Sequence, residues 1–307
     1  MLRKILVLIF TITICSGYRA RAQDTLSFWE PAKEYNPQRG KIVGIGLGTT
    51  YVVSMTGLYY LWYADYDLVE FHSFNDNEEW LQMDKVGHFG SSYYLGKWGI
   101  DLMQWTGMKE KKAIWIGGTL GLAFLTTIEV FDGFSEAWGF STGDMIANVS
   151  GSAMAISQEL IWKEQRINIK FSWHDSPYND YNTDLMGETF PQTMFKDYNG
   201  QTYWLSGNIK SFLQADSKFP AWLNVAVGYG AEGMTGAEDN SVTDAAGHTD
   251  IVRYRQFYLA PDVDLTKIKT KSKILKTVFG AFGFLKIPAP TLEFNKQSDV
   301  KFHWLYF

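Results

Sequence analysis

Thiol chemistry is almost missing from this sequence of 307 residues, in which Cys15 is the one cysteine. Once Cys15 is removed with the signal peptide, as expected below, the mature chain has no thiol, and disulfides, thiolate nucleophiles and cysteine-based zinc sites are excluded. A basic excess is lacking too: 28 Lys and Arg against 33 Asp and Glu give a net charge of −5 and no electrostatic footprint for nucleic acid. Charged residues make up only 20% of the chain, yet a mean hydropathy of −0.16 is too low for a protein that is mostly transmembrane. Aromatic residues are plentiful, at 16%, and side chains with an apolar body and a polar tip suit membrane interfaces as well as cores.

The N-terminus reads as a signal peptide over residues 1–22. Arg3 and Lys4 precede the uncharged run from Ile5 to Gly17, and Ala20-Arg21-Ala22 supplies a cleavage site. The run is about 13 residues against the roughly 20 that cross a bilayer, so export and cleavage are expected. Ile14 stands before Cys15 where a lipoprotein signal has a small residue, so Cys15 is expected to be discarded and not lipidated.

A helical bundle domain is expected over residues 23–166, with about four helices. Ile42 to Ala64 is free of charge over 23 residues, long enough for a membrane span, although its glycines also fit a tightly packed core helix. The segment 65–84 reads as an acidic, solvated loop. Helices are predicted from Val86 to Trp105, Ala113 to Glu129 and Met145 to Trp162. The uncharged stretches of the last two reach only about 24 and 21 Å, short of a hydrocarbon core, and suit a buried bundle. Ser141 is a good N-cap for the last helix, with Asp144 in its first turn.

Residues 167–202 read as an irregular linker and 203–307 as an antiparallel β-rich region, which makes the fold class α+β, a membrane-associated helical bundle followed by strands. Alternation is clear in WLNVAVGY, VRYRQFYL and the terminal DVKFHWLYF, where Val300, Phe302, Trp304 and Tyr306 share one face of a regular strand. Four to six strands are too few for a closed barrel of about eight. The polar stretch 231–250, with His248, reads as a solvated loop. Thr266 to Lys286 combines Lys267, Lys269, Lys271, Lys273 and Lys276 with an apolar continuation and fits either an anionic membrane surface or a cover over the sheet.

Six polar residues inside the most apolar helices carry the functional question: Asp84 and His88, Glu129 and Asp132, Asp144 and Asn148. At three- or four-residue spacing each pair shares a helix face. Burying them costs several kcal/mol unless they pair with each other, with a metal or with a substrate. Three readings stay open. They form a structural network, with Lys85 or Lys97 as countercharge, or a site for a substrate, or a divalent metal centre in which His88, Glu129, Asp132 and Asp144 ligate Mn, Fe, Zn or Mg. No other cofactor is implied. No G-x-S-x-G elbow is read in the chain, so Ser91 and Ser92 near His88 are not read as nucleophiles and a serine hydrolase is not expected.

DKVGHF, the Glu129-x-x-Asp132 pair and GDMIANVSG resemble the YfiM-like envelope family called domain of unknown function 2279, described as predicted periplasmic lipoproteins. HDSPYNDYN and KDYNGQTYWLS resemble a longer form of that family from bacteria of the Bacteroidota type, and the likeness runs over roughly residues 40 to 215. An acid followed by D-x-x-x-N-x-x-G is distantly similar to VanZ-like membrane proteins. The resemblance implies an exported envelope protein and supplies no activity. The expectation is a structural or assembly component at the outer membrane, with lipid or envelope proteins as partners. The alternative is an envelope hydrolase or transferase acting on lipid or cell-wall substrate at the polar site.

Overall fold

The structure is a computed structural model that describes residues 27–240 and 251–307. The signal peptide, Cys15 and His248 lie outside the described residues. Residues 27–30 form a turn of their own, and the rest of this section concerns residues 31–307.

Helices fill the first half: α1 (Pro37–Leu58, continued as a π-turn over Tyr59–Tyr63), α2 (Met83–Trp105), α3 (Glu110–Gly118), α4 (Leu120–Asp132) and α5 (Thr142–Trp162). Each start has a local cause. Asn36 caps α1 by accepting from the Gln38 and Arg39 amides, with Pro37 at the first helical position, and Ser141 caps α5 by accepting from the Asp144 amide at 3.1 Å, as expected. The bundle packs through glycine. A Cβ on Gly99 would lie 2.2 Å from the Gly117 carbonyl oxygen, and one on Gly121 would lie 2.2 Å from the Ser92 carbonyl oxygen, so α2 meets α3 and α4 backbone to backbone. The core beside this contact holds Tyr93, Tyr94, Ile100, Ile114, Ala155, Ile156 and Ile169.

Two stretches, Pro37–Tyr63 and Glu110–Asp132, are long and apolar enough to cross a membrane. The second was expected to fall short. Glu110, Lys111 and Lys112 open it and Asp132 closes it, so its uncharged run understates its length, although the chain breaks between α3 and α4 at Thr119. α1 carries Ile42, Ile45, Val52, Val53 and Tyr60 exposed, and is fastened by Arg39, which stacks on Trp105 and donates to the Trp105 carbonyl at 2.9 Å.

A two-stranded parallel pair, β1 (Ser73–Phe74) and β2 (Phe140–Ser141), ties the 65–82 loop to the start of α5. The second half is an antiparallel six-stranded meander of β3 (Ile167–Trp173), β4 (Gln201–Asn208), β5 (Leu223–Glu232), β6 (Tyr254–Val263), β7 (Ala289–Asn295) and β8 (Asp299–Tyr306). The fold is therefore α+β, as expected.

The expected linker needs a correction, because the sheet begins at residue 167 and not at 203. β3 hides its polar side chains, Asn168, Lys170 and Ser172, inside the sheet, so its pattern does not read as polar-out. Between β3 and β4 run two short helices, α6 (Thr183–Met186) and α7 (Phe190–Lys196). A second correction concerns β8. Its pairing passes from Thr291–His303 to Ala289–Tyr306, a bulge, which turns Tyr306 inward to donate to the Tyr258 hydroxyl at 2.6 Å, while Val300 and Phe302 stay outside. A sequence pattern of strict period two cannot register that extra residue.

The sheet's polarity is reversed relative to a sheet in water. Leu205, Val227, Leu259, Leu292 and Phe302 pair in one cross-strand row, all exposed, and Phe257, Phe294 and Val300 form the neighbouring row. The opposite face buries Ser206, Asn224, Gln256, Asp262 and Glu293 around a smaller apolar group of Trp204, Ala226, Tyr258 and Ala260. Asp262 accepts from Ser206 at 2.6 Å and pairs with Lys170 at 2.9 Å, with Lys286 at 3.6 Å. The segment Phe284–Lys286 lies along the free edge of β3, exchanging backbone hydrogen bonds with Phe171.

The glycine contacts predict an asymmetry. Gly117→Ala should destabilise the fold by about 1–3 kcal/mol, because the new methyl overlaps backbone that cannot rotate away. Gly46→Ala, with nothing within 4 Å, should be neutral or stabilising by up to about 1 kcal/mol. Thermal melts of the two purified variants check both, and equal melting would contradict the backbone-to-backbone packing.

Candidate functional site

Asp84, His88, Glu129, Asp144 and Asn148 meet in one cluster between α2, α4 and α5. Lys85 stands at its centre, with its Nζ 2.7 Å from Asp76 Oδ2, 3.2 Å from Asp84 Oδ2 and 3.0 Å from Asp144 Oδ1. His88 Nδ1 is hydrogen-bonded to Asn148 Oδ1 at 3.1 Å and lies 3.4 Å from Glu129 Oε1, and Nε2 stands within ion-pair range of Asp84 Oδ1 at 3.7 Å. Glu129 accepts from the Ser141 amide at 3.2 Å, and Tyr198 donates to Asp84 Oδ1 at 2.8 Å. Asp132 stands at the margin, taking a 2.6 Å hydrogen bond from Tyr63 at the end of the α1 π-turn.

The predicted partners divide cleanly. Lys85 is the countercharge, whereas Lys97 pairs with Asp101 at 3.4 Å on an exposed face away from the cluster. Ser92 donates to the Asn148 carbonyl at 2.6 Å and lies 3.0 Å from Ser152 Oγ, which makes it a contact between helices. Sequence reasoning missed Asp76, Tyr63 and Tyr198. Asp76 comes from the loop read as solvated. Tyr198 lies in the KDYNGQTYWLS string, whose specificity was the one signal that could have pointed to it.

Gly139-Phe140-Ser141-Thr142-Gly143 also fits G-x-S-x-G, at a strand-to-helix junction, and was passed over. Its geometry is that of a cap. Ser141 is 1% exposed, keeps ordinary extended backbone (φ −96°), donates to Asp76 Oδ1 at 2.6 Å and accepts from the Asp144 amide, whereas a nucleophile elbow holds a strained, exposed serine.

Trp80, Leu81 and Gln82, immediately before α2, have φ of 48°, 50° and 65°. Three consecutive left-handed residues that are not glycine cost about 1–3 kcal/mol each and persist only where the surroundings impose them. The Trp80 amide donates to the Ala237 carbonyl at 2.8 Å, the Tyr229 hydroxyl donates to the Leu81 carbonyl, and Arg255 donates to Gln82 at 2.6 Å. The sheet thus aims Asp84 and Lys85 from a strained turn.

Charge in the cluster is shared and not simply ionised. Burial pushes Asp144 up to about 8, with the charge of Asp84 adding to it, against the pull of His88 and Lys85, which lower it. For His88 burial disfavours the imidazolium, but Asp84, Asp144 and Glu129 outweigh it and raise its affinity for a proton. Asp84 goes the other way: burial is overcome by His88, Lys85 and the Tyr198 hydroxyl, which hold it ionised below the usual carboxylate range. Asp84, His88 and Asp144 place one ligand atom each within 4.8 Å of one another, the donor set of a small metal site, but Lys85 already supplies the cation there. Asn148 Nδ2 finds no acceptor among the described residues.

Residues 72–159 match the family model DUF2279, described as a predicted periplasmic lipoprotein. The matched segment holds Asp76, Lys85 and all six of the predicted polar residues, so the cluster and the family match coincide. Tyr63 and Tyr198 are supplied from outside it. No curated protein and no solved structure matches the chain.

Two outcomes follow. Lys85→Met should cost about 3–5 kcal/mol, since it leaves three carboxylates around one uncompensated spot. A denaturation midpoint within experimental error of wild type would show the cluster to be solvated. Stability should also fall as pH rises from about 4, the ordinary carboxylate value, to about 8, the folded value of Asp144. Asp144 and His88 bind protons more tightly folded than unfolded, so their contribution is complete in acid and lost as pH climbs through the folded values; Asp84 acts oppositely and limits stability in strong acid. Melting curves of wild type and Asp144→Asn across this range should show a shallower alkaline decline in the variant.

Proposed function

We propose that this exported envelope protein is a structural component seated in the outer membrane, with α1 and the apolar face of its sheet against lipid and the polar cluster as an internal tie. One observation carries the reading: a row of exposed Leu205, Val227, Leu259, Leu292 and Phe302 crosses β4 to β8, while the other face of the six-stranded sheet buries Lys170 of β3 with Asp262 and Glu293. A one-faced antiparallel sheet in water puts its apolar side inward. Apolar out and polar in is the arrangement of strands that face hydrocarbon. Contiguous apolar surface of this kind is a contact surface. The position of Lys85 supports a non-enzymatic cluster, because it fills the place a substrate or metal would take.

A second reading, an envelope hydrolase or transferase, is favoured by one feature. The Asp84, Lys85 and His88 side chains keep 13–20% exposure, so the mouth of the cluster is reachable from solvent. His88 and Asp144 would then act as the proton-transferring pair.

Density-gradient fractionation of cells is expected to return the protein with outer membranes, and recovery in the soluble periplasm without detergent would overturn the seating. In a deletion strain, His88→Gln that reaches wild-type abundance should complement fully. Failure to complement at normal abundance favours the enzyme.

A further inference from the structure

The connection between β6 and β7 contains α8 (Lys273–Phe282), a helix whose two faces differ sharply. Ser272 caps it by accepting from the Leu275 amide at 3.3 Å. Ile274, Leu275, Val278 and Phe282 fall on one side at helical spacing, while Lys273, Lys276 and Thr277 occupy the other. A helix packed on its own protein turns the apolar side inward. Here that side faces away: Ile274 is 60%, Val278 41% and Phe282 52% exposed. The orientation is fixed from below. Phe284 wedges against Tyr94 and Trp98, with ring centroids 5.7 and 5.8 Å away, and its carbonyl accepts from the Phe171 amide at 2.7 Å.

The charge around α8 has one sign. No acid occurs between Asp264 and Glu293, a span that holds Lys267, Lys269, Lys271, Lys273, Lys276 and Lys286. Lys267 is neutralised by Glu164 at 2.6 Å, but Lys269, Lys271 and Lys276 make no ion pair among the described residues. With Lys267 and Phe279 those three line a cleft of about 730 Å³. A neighbouring cleft of about 510 Å³ shares Lys267 and Lys269 and adds Lys210 and Lys218. That second cleft joins two connections at the same end of the sheet, since β4 ends and β5 begins where β6 ends and β7 begins. The β4–β5 connection also exposes Phe212, Leu213 and Trp222. Lysines interleaved with exposed aromatic and aliphatic side chains, at one end of strands that bear apolar outer residues, have the chemistry of a bilayer's headgroup zone.

We infer that α8 lies in the interface of an anionic phospholipid leaflet, its apolar face entering the acyl boundary and the lysine-lined clefts holding lipid phosphate. This rests on the chain meeting a bilayer, as proposed above, but makes a separate claim about one helix and one headgroup charge. Helices of this type bind through buried apolar area plus attraction to anionic lipid, so each half of the design should be separately removable.

The full chain in a Cys15→Ser background has no other thiol, so single cysteines report single positions. Val278→Cys, Thr277→Cys and Val227→Cys, each carrying an environment-sensitive nitrobenzoxadiazole label, are reconstituted into phosphatidylcholine vesicles with and without phosphatidylglycerol. The expected result is a blue-shifted, lipid-quenchable signal at Val278 only where phosphatidylglycerol is present, with Thr277 aqueous throughout. Lys269→Gln, Lys271→Gln and Lys276→Gln together should lower the inserted-to-aqueous ratio at Val278 roughly 100-fold. An aqueous Val278 beside a lipid-buried Val227 overturns this inference and leaves the seating intact, and both labels aqueous overturns both. Equal burial of Val278 in pure phosphatidylcholine removes the anionic recognition, and a blue-shifted Val278 that lipid-borne quenchers fail to quench shows that a protein surface covers the helix instead.

Discussion

A single ammonium group holds the helical half of this protein together. Lys85 gathers Asp76 from the loop before α2, Asp84 from α2 itself and Asp144 from α5, adding a charged tie where the β1–β2 pair and the α2–α5 contact already bring these parts together. Through Asp84 the tie extends to Tyr198, in the connection between β3 and β4, and through Asp76 to Ser141, which caps α5. Desolvating the charges is costly, and mutual pairing offsets that cost only while all partners stay in place. The cluster therefore acts as a lock on helix register, and its glycine-mediated neighbours follow, because α2 can approach α3, α4 and α5 this closely only when the polar groups between them are matched.

The sheet repeats the same physics with different residues. Lys170 and Lys286 converge on Asp262 inside a curved meander, supported by Ser206 and Asn224, while Glu293 is held by Gln256 and His303. Both halves thus have partly polar interiors and carry much of their aliphatic and aromatic surface outside. In water this arrangement forfeits burial of apolar area, the main favourable term in folding. Against hydrocarbon the forfeit disappears, which gives the reversed sheet and the exposed face of α1 a common explanation. The strained Trp80–Gln82 turn joins the halves, since the sheet residues Tyr229 and Arg255 hold the entry to the helix that carries Lys85.

Chemistry at the cluster is governed by crowding. Five carboxylates, including Asp132 at the margin, stand near Lys85 and His88, and burial lifts Asp144 while Asp84, Asp144 and Glu129 raise the proton affinity of His88. Perturbed groups of this kind arise at catalytic sites and in structural ion networks alike. The distinction lies in what occupies the centre, and here it is a side chain of the protein.

Local pattern sufficed for much of the architecture. Three- and four-residue spacing put Asp84 with His88 and Asp144 with Asn148 on inward helix faces, the Ser-x-x-Asp string placed the α5 cap, and alternation gave β5 and β6, because these features depend only on helix and strand periods. DKVGHF and GDMIANVSG sufficed for the family likeness over the segment that matches. What a period cannot carry was decided by tertiary structure. Asp76 and Tyr198 joined the cluster over long sequence separations, Lys85 and not Lys97 became the countercharge, and the β8 bulge turned Tyr306 inward. Strand β3 escaped notice because its buried face is its charged face. Alternation reports that a strand has two different sides, but only the folded neighbours, Asp262 against Lys170 on one face and the helical core against Ile169 on the other, decide what each side buries.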